Sequence, residues 1–255
     1  MSKEVTIRSV DRALTIIESF THKDSELTLK QISIKTGIAL TTVHRIMQTL
    51  LAKGFIELDQ ESGKYRLGVK FVRLGGIVIK RTDIVNNSYP WLKKLAQETE
   101  LNVNLSVYDN QEALCLINIE SFHHFGFEIK VGQRMPIYAG ALSKAILAYL
   151  PEEELNSLSN EFEAVTPLTI SQKTQLQEEI QQIRTHGYAQ SHGELALGAI
   201  AYAAPIFNHE GQIAAGIAIS GPINFLPEHK RQQYIDALLR ASSQISQEMG
   251  YAPVI

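Results

Sequence analysis

One cysteine, Cys115, is present in 255 residues. A single thiol excludes an intrachain disulfide framework and a cysteine-only metal site, so a reducing, cytoplasmic compartment is expected. Long apolar runs are missing as well. No stretch approaches the roughly 18 uninterrupted apolar residues that a spanning helix needs, so no membrane span is expected. The start, Met1-Ser2-Lys3-Glu4, leads into polar residues without an apolar signal region, and no secretory leader is expected. There is no His-Glu-x-x-His, Walker A or Rossmann glycine pattern, which removes the commonest zinc-hydrolase, P-loop and dinucleotide signatures. Neither metal nor cofactor is expected.

A large excess of one charge is also lacking: the net charge is −3. Its distribution is uneven. Residues 1–81 hold 14 Lys+Arg against 8 Asp+Glu, and residues 82–255 hold 10 against 19, so balances of +6 and −9 make up the total. A basic head on an acidic body suggests a polyanion-binding module joined to something that avoids polyanions. The composition, 44% hydrophobic and 20% charged, is that of folded domains rather than a collagen-like or disordered chain.

In the basic head, Val10, Ala13, Leu14 and Ile17 recur at helical spacing and predict a first helix over about Ser9–Phe20, with that set as its apolar face. A loop over Thr21–Glu26 follows. A second helix over about Thr28–Thr36 has Thr28 as N-cap and Gly37 as stop. A third runs from near Thr41 to near Gly54, with Val43, Ile46, Met47 and Leu50 inward. Two short helices joined by a glycine turn form a helix-turn-helix. The outward face of the third helix carries Thr41, His44, Arg45 and Gln48, with Thr42 beside them; all can donate and none is acidic. That is the requirement for a helix that reads base edges in the major groove. Two alternating segments, Ile56–Leu58 and Tyr65–Leu67, flank a Ser62-Gly63 turn and predict a wing. Its Lys64 and Arg66 are expected to meet backbone phosphates.

These residues resemble the IclR family of bacterial transcription regulators. The resemblance is carried by Ser9-Val10-Asp11-Arg12-Ala13-Leu14, Thr36-Gly37-Ile38, Thr41-Thr42-Val43-His44-Arg45, Gly54-Phe55 and Tyr65-Arg66-Leu67-Gly68. It continues through Val131-Gly132 with Pro136, Ser143-Lys144-Ala145-Ile146-Leu147-Ala148, Ile183-Arg184-Thr185-His186-Gly187-Tyr188-Ala189 and Ala203-Ala204-Pro205-Ile206-Phe207. Ile219-Ser220-Gly221-Pro222 and Ile245-Ser246-Gln247-Glu248-Met249-Gly250 close it, in family order over nearly the whole chain. It implies an α+β protein: a winged helix-turn-helix over 1–68, a linker helix over 69–86 and a GAF-like α/β effector-binding domain over 87–255. It also implies homodimers, often dimers of dimers, on palindromic double-stranded operators, repressing or activating under control of a small organic acid. The effector-binding positions it implies here are Ala141, Leu142, Ser191, Ala199, Ala201, Ala218 and Ser220.

The segment Val69–Arg81 reads as an apolar helix with basic punctuation, disfavoured by Gly75 and Gly76 at about 1 kcal/mol each. Beyond it, helices are expected over Tyr89–Glu100, Ala141–Leu150, Ser171–His186 and Glu228–Met249. Strands are expected over Asn102–Tyr108, Ala113–Ile119, Phe127–Val131, Ala199–Phe207 and Ile213–Ser220. The chain departs from the family pattern at Ser143, at Ser191-His192-Gly193-Glu194, where relatives have an acidic run, and at Ala201 and Ala218, often polar. Fewer hydroxyl and thiol partners argue for a larger or more apolar acid than the smallest 2-oxo acids.

Catalytic readings are weak. Cys115 with His123 or His124 is outweighed by a structural cysteine, and Ser220 with His192 or His209 lacks the first glycine of a nucleophile elbow. His186, His192 and Glu194 have no recognised metal spacing, and Lys144 reads as a solvated or capping lysine. The competing function is a metabolite sensor or enzyme whose N-terminal helices serve only for assembly.

Overall fold

The structure is a computed structural model, and its described residues are 7–80, 83–121 and 129–252. The chain divides into two compact units, 1–81 and 82–255.

The first unit contains α1 (Arg8–Glu18), β1 (Glu26–Leu27), α2 (Leu29–Thr36), α3 (Leu40–Ala52), β2 (Ile56–Leu58), β3 (Tyr65–Leu67) and α4 (Lys70–Lys80). Thr28 starts α2 with a capping box: its hydroxyl accepts from the Gln31 amide at 3.3 Å, and Gln31 Oε1 accepts from the Thr28 amide at 2.8 Å. Both otherwise orphaned donors of the first turn are thereby satisfied. Gly37, at φ 67°, ends α2 in the left-handed conformation and frees the chain to turn into α3. Ile16, Leu27, Ile32, Val43, Met47, Ile56 and Tyr65 form one core beneath the three helices and the sheet β1-β3-β2.

Two expectations for this unit change. The loop over Thr21–Glu26 ends in β1, whose Glu26 and Leu27 pair with Arg66 and Tyr65 and add a third strand to the wing. The inward face of α1 is also rotated. Ile16 and Phe20 are buried, whereas Val10 and Leu14 are 52% and 53% exposed. Helical spacing identifies an apolar stripe but not what the stripe faces. The glycine-bearing segment is helical as α4. It is held to the wing base by an edge contact of Phe71 on Phe55 and by Lys70 Nζ, which donates to the Lys53 carbonyl at 3.0 Å.

The second unit contains α5 (Asp83–Thr99), β4 (Asn102–Asp109), β5 (Glu112–Ile119), β6 (Arg134–Pro136), α6 (Ala141–Leu147), α7 (Glu152–Ser157), α8 (Lys173–His186), β7 (Ala189–His192), β8 (Ala199–Phe207), β9 (Ile213–Pro222) and α9 (Arg231–Glu248). The strands form one antiparallel sheet in the order β6-β5-β4-β9-β8-β7. One face, with Val103, Leu105, Tyr202, Ile206, Ile217 and Ile219, packs on α5 and α9. The other, with Ala113, Cys115, Ala203 and Ala218, packs on α6 and α8.

Here the corrections are mostly of element limits. α5 starts at Asp83 and runs through Pro90; a proline inside a helix costs an i→i−4 hydrogen bond, and burial of Ile84 and Leu92 on the sheet offsets it. Of the expected strand over 127–131, residues 127 and 128 lie outside the described residues, and 129–131 are not strand. The edge is supplied instead by β6, a three-residue strand too short to show periodicity. The helix expected over 141–150 ends at Leu147, and α7 and β7 were not anticipated. A 3₁₀ turn, Glu228–Lys230, precedes α9.

Candidate functional site

In the first unit, α3 presents Thr41, His44, Arg45 and Gln48 outward, with Thr42 partly covered. Thr41, His44 and Arg45 line a surface depression together with Lys30 of α2 and Gly63 and Tyr65 of the wing. The wing tip is fixed by Asp59, whose carboxylate accepts from the amides of Glu61 at 2.8 Å and Ser62 at 3.3 Å. Those bonds hold the Asp59 carboxyl below the usual carboxylate range. Lys64 lies beside this turn. Arg66 is more constrained: it stands across from Glu26 on β1 and Glu57 on β2, and its Nε donates to Glu57 at 3.1 Å.

In the second unit, all seven residues expected to contact an effector line one cavity. The sheet register explains the convergence. Ser191 of β7, Ala201 of β8 and Ser220 of β9 form one cross-strand row, and Ala203, Ala218 and Asn104 form the next. Directly opposed residues share a face, here the face toward α6. It is built of alanine, serine and glycine, so α6 approaches closely. A Cβ on Gly216 would stand 2.9 Å from Ile146 Cγ1 and 3.0 Å from Leu142 Cδ1. Ala141 and Leu142, the first residues of α6, close the cavity from above.

Its volume is about 30 Å³, room for a water molecule or two. The segment Gly193–Ala196 covers it. Leu195 packs onto Gly140, where an added Cβ would lie 2.6 Å from Leu195 Cδ1, and Gly140 has φ +82°. Thr166 Oγ1 donates to the Gly193 carbonyl and Thr169 Oγ1 to the Glu194 carbonyl, both at 2.7 Å.

Asn104 and Glu194 also line this cavity and were not expected there. Polar residues at alternate positions of β4, Asn102, Asn104 and Ser106, are the signal that points to the first. Asn104 Nδ2 donates to Asn118 Oδ1 at 2.7 Å. Glu194 is held at both oxygens: Oε1 accepts from Lys144 Nζ at 2.7 Å and Oε2 from the Gly140 amide at 3.1 Å. Lys144 is not solvated. Its side chain is 1% exposed and also donates to Glu179 of α8 at 3.0 Å. Placing Lys144 on α6 between the sheet and α8 removes it from water, and the two carboxylates are what make its burial tolerable.

The catalytic and metal readings gain no geometry. Cys115 is buried mid-strand, and burial pushes its thiol up to about 11, opposite to what a nucleophile needs. His123 and His124 lie outside the described residues. His209 lies in the β8–β9 turn, beyond the strand end opposite Ser220, and His192 is exposed. No group of three metal-ligating side chains occurs among the described residues, and Glu194 is bonded to Lys144 and the Gly140 amide. Among the described residues no helix is long and apolar enough to cross a membrane.

A winged helix-turn-helix and an antiparallel α/β unit with a small cavity in one chain define the class of one-component DNA-binding regulators. Comparison with known proteins agrees. Residues 9–60 match the IclR helix-turn-helix domain and residues 76–247 the bacterial transcriptional regulator IclR C-terminal domain. The chain is 35% identical over 246 residues to the HTH-type transcriptional regulator KipR of Bacillus subtilis (strain 168), covering 96% of this chain and 98% of that protein. It is 31% identical over 247 residues to the HTH-type transcriptional regulator XynR of Escherichia coli (strain K12), with the same coverage of both chains. The crystal structure of an IclR regulator from Alicyclobacillus acidocaldarius superposes with a TM-score of 0.83 at 26% identity, over 96% of this chain and all of that one. The chain belongs to the IclR family and is a helix-turn-helix transcriptional regulator. The assembly-only reading of the N-terminal helices is not favoured, since the relatives are named as regulators.

Proposed function

We propose that residues 1–68 bind a palindromic operator, that 69–86 act as the linker, and that 87–255 bind a small organic acid in the cavity beneath α6, which widens from its about 30 Å³ to admit it, and thereby control the DNA-binding head. In this reading Thr41, Thr42, His44, Arg45 and Gln48 enter the major groove, while Lys64 and Arg66 meet phosphates. The effector contacts are Ala141, Leu142, Ser191, Ala199, Ala201, Ala218 and Ser220. The observation that carries the reading is their convergence on one cavity from α6 and three strands. The acid is larger or more apolar than the smallest 2-oxo acids, since alanines fill the positions where a short acid would find extra donors.

The protein works as a homodimer, or a dimer of such dimers, in the cytoplasm. Support comes from apolar side chains on α1 and at α4 that the first unit leaves uncovered: Val10, Leu14, Val69 and Val72, the last two 75% and 77% exposed. A two-fold dimer matches a palindrome with half-sites roughly one helical turn, about 34 Å, apart.

Fluorescence anisotropy on DNA upstream of the gene tests the head. Arg45→Ala should lose about 1–3 kcal/mol and relax base preference, whereas Lys64→Ala should weaken all DNA binding and flatten the salt slope by about 1. Salt-insensitive, equal behaviour of wild type and both variants refutes the DNA contacts. A thermal-shift screen with organic acids tests the cavity, since a ligand at 100 times its Kd adds about 2.7 kcal/mol of stability.

A further inference from the structure

Resting on the reading of the cavity as an organic-acid site, we propose that Glu194 is its specificity-determining residue. It accepts a hydrogen bond from a hydroxyl of the ligand, which makes the effector a hydroxy acid rather than an oxo acid or a plain carboxylic acid.

Three observations carry this. First, among the described residues Glu194 is the single ionisable one lining the cavity, and no described Lys, Arg or His lines it. The remaining wall is alanine, leucine, isoleucine, glycine, two serines and Asn104. Second, the carboxylate has acceptor capacity to spare. A carboxylate offers about four lone-pair sites; one bond from Lys144 and one from the Gly140 amide occupy two. Third, the neighbouring cation is not available to a ligand. Lys144 Nζ is buried behind the wall and shared between Glu194 and Glu179, so the three groups together carry one net negative charge.

The consequences differ by ligand class. The acid group of a ligand set against Glu194 meets a like charge whose counter-cation, Lys144, is already shared with Glu179, and in a low-dielectric cavity that is unfavourable. It must therefore point away from Glu194, toward the Ser191 and Ser220 hydroxyls. The part of the ligand nearest Glu194 is then judged by what it can donate. A keto oxygen only accepts and leaves two acceptors facing each other. A hydrogen leaves the spare acceptor sites dry. A hydroxyl donates to an ionised oxygen, the stronger kind of hydrogen bond. A site built to bond a hydroxyl also rejects the analogue without it by more than the hydroxyl's own small size would suggest.

Isothermal titration of the full chain with matched probes tests the assignment: mandelate, phenylglyoxylate and phenylacetate, then glycolate, glyoxylate and acetate, with 1-phenylethanol as a hydroxyl without an acid group. In the wild type the hydroxy member of at least one series should bind about tenfold or more tighter than its oxo and hydrogen counterparts. Glu194→Gln, whose amide retains an acceptor but not the charge, should cut that ratio to about threefold or less. A wild-type ratio near one, or tighter binding of the oxo members, overturns the assignment without any variant. So does a folded Glu194→Gln protein with the ratio unchanged. Binding of 1-phenylethanol that weakens in Glu194→Gln, with no acid bound, upholds the role of Glu194 and refutes the acid reading instead. No binding by any probe refutes both.

Discussion

Lys144→Met is the most informative single change to the second unit. It removes the ammonium but keeps most of the stem volume, so little cavity is created. Glu194, whose side chain is 7% exposed, then has the Gly140 amide as its remaining partner, while Glu179, 25% exposed, can turn to water. Breaking a buried pair by removing one partner costs about 3–5 kcal/mol, and nearly all of that should come from Glu194. In a unit spanning residues 82–255, each kcal/mol shifts the midpoint by about 2–4 °C, so a fall of roughly 10 °C is expected. Scanning calorimetry reads it directly, because the transition of unit 1–81 should stay where it is. The double variant Lys144→Met/Glu194→Leu replaces the pair by apolar groups and should recover most of the loss. A single-variant loss under about 1 kcal/mol, or a double variant no better than the single, refutes the view that Lys144 neutralises a buried charge.

Three further outcomes follow from the geometry. Glu57→Gln releases the Arg66 guanidinium from its cross-strand partner, so DNA binding at low salt should tighten about threefold and the salt slope should steepen; unchanged anisotropy titrations would count against a phosphate contact by Arg66. Thr28→Ala removes one half of the α2 capping box and should cost the first unit about 1 kcal/mol in urea unfolding, with the second unit unaffected. The Cys115 thiol, pushed up to about 11 by burial, should resist a disulfide reagent at pH 8 until urea exposes it. Because its folded value is raised, its contribution to stability is fully present below the ordinary thiol range near 8.5 and is lost as pH rises from there through about 11. Unfolding curves between pH 8 and pH 11 would show the decline.

The helix-turn-helix was legible because its signals are local. Thr28 with Gln31, Gly37, and the spacing of Val43, Met47 and Leu50 each act within a turn or two of chain. The rotated face of α1 was not legible, since Val10 and Leu14 satisfy the same periodicity as Ile16 and Phe20, and only tertiary packing distinguishes them. The short elements β1, β6, β7 and α7 carry too little period to be read alone, and they lack the turn between two alternating segments that marked the equally short β2 and β3. The cavity was legible only as a set of positions implied by family resemblance. The roles of Lys144 and Glu194 depend on a contact 50 residues apart in sequence, which no window along the chain contains.

The two faces of the large sheet divide the work of the second unit. The face toward α5 and α9 holds Ile217, Ile219, Ile206 and Tyr202 in one apolar cluster; each such side chain contributes roughly 1.5–3 kcal/mol by burial. The face toward α6 has Ala201, Ala203, Gly216 and Ala218 at the equivalent positions and forgoes most of that gain. Several locally unfavourable features lie on this second face. They are a buried ammonium, a glycine held at φ +82° under Leu195, and the Ser143 hydroxyl, buried with no hydrogen-bond partner among the described residues. None of these would be selected for stability, and proteins concentrate such departures at functional positions. The unit can carry them because the opposite face supplies the core. This division explains how the sheet lines a cavity with small side chains and a few polar ones without losing its fold.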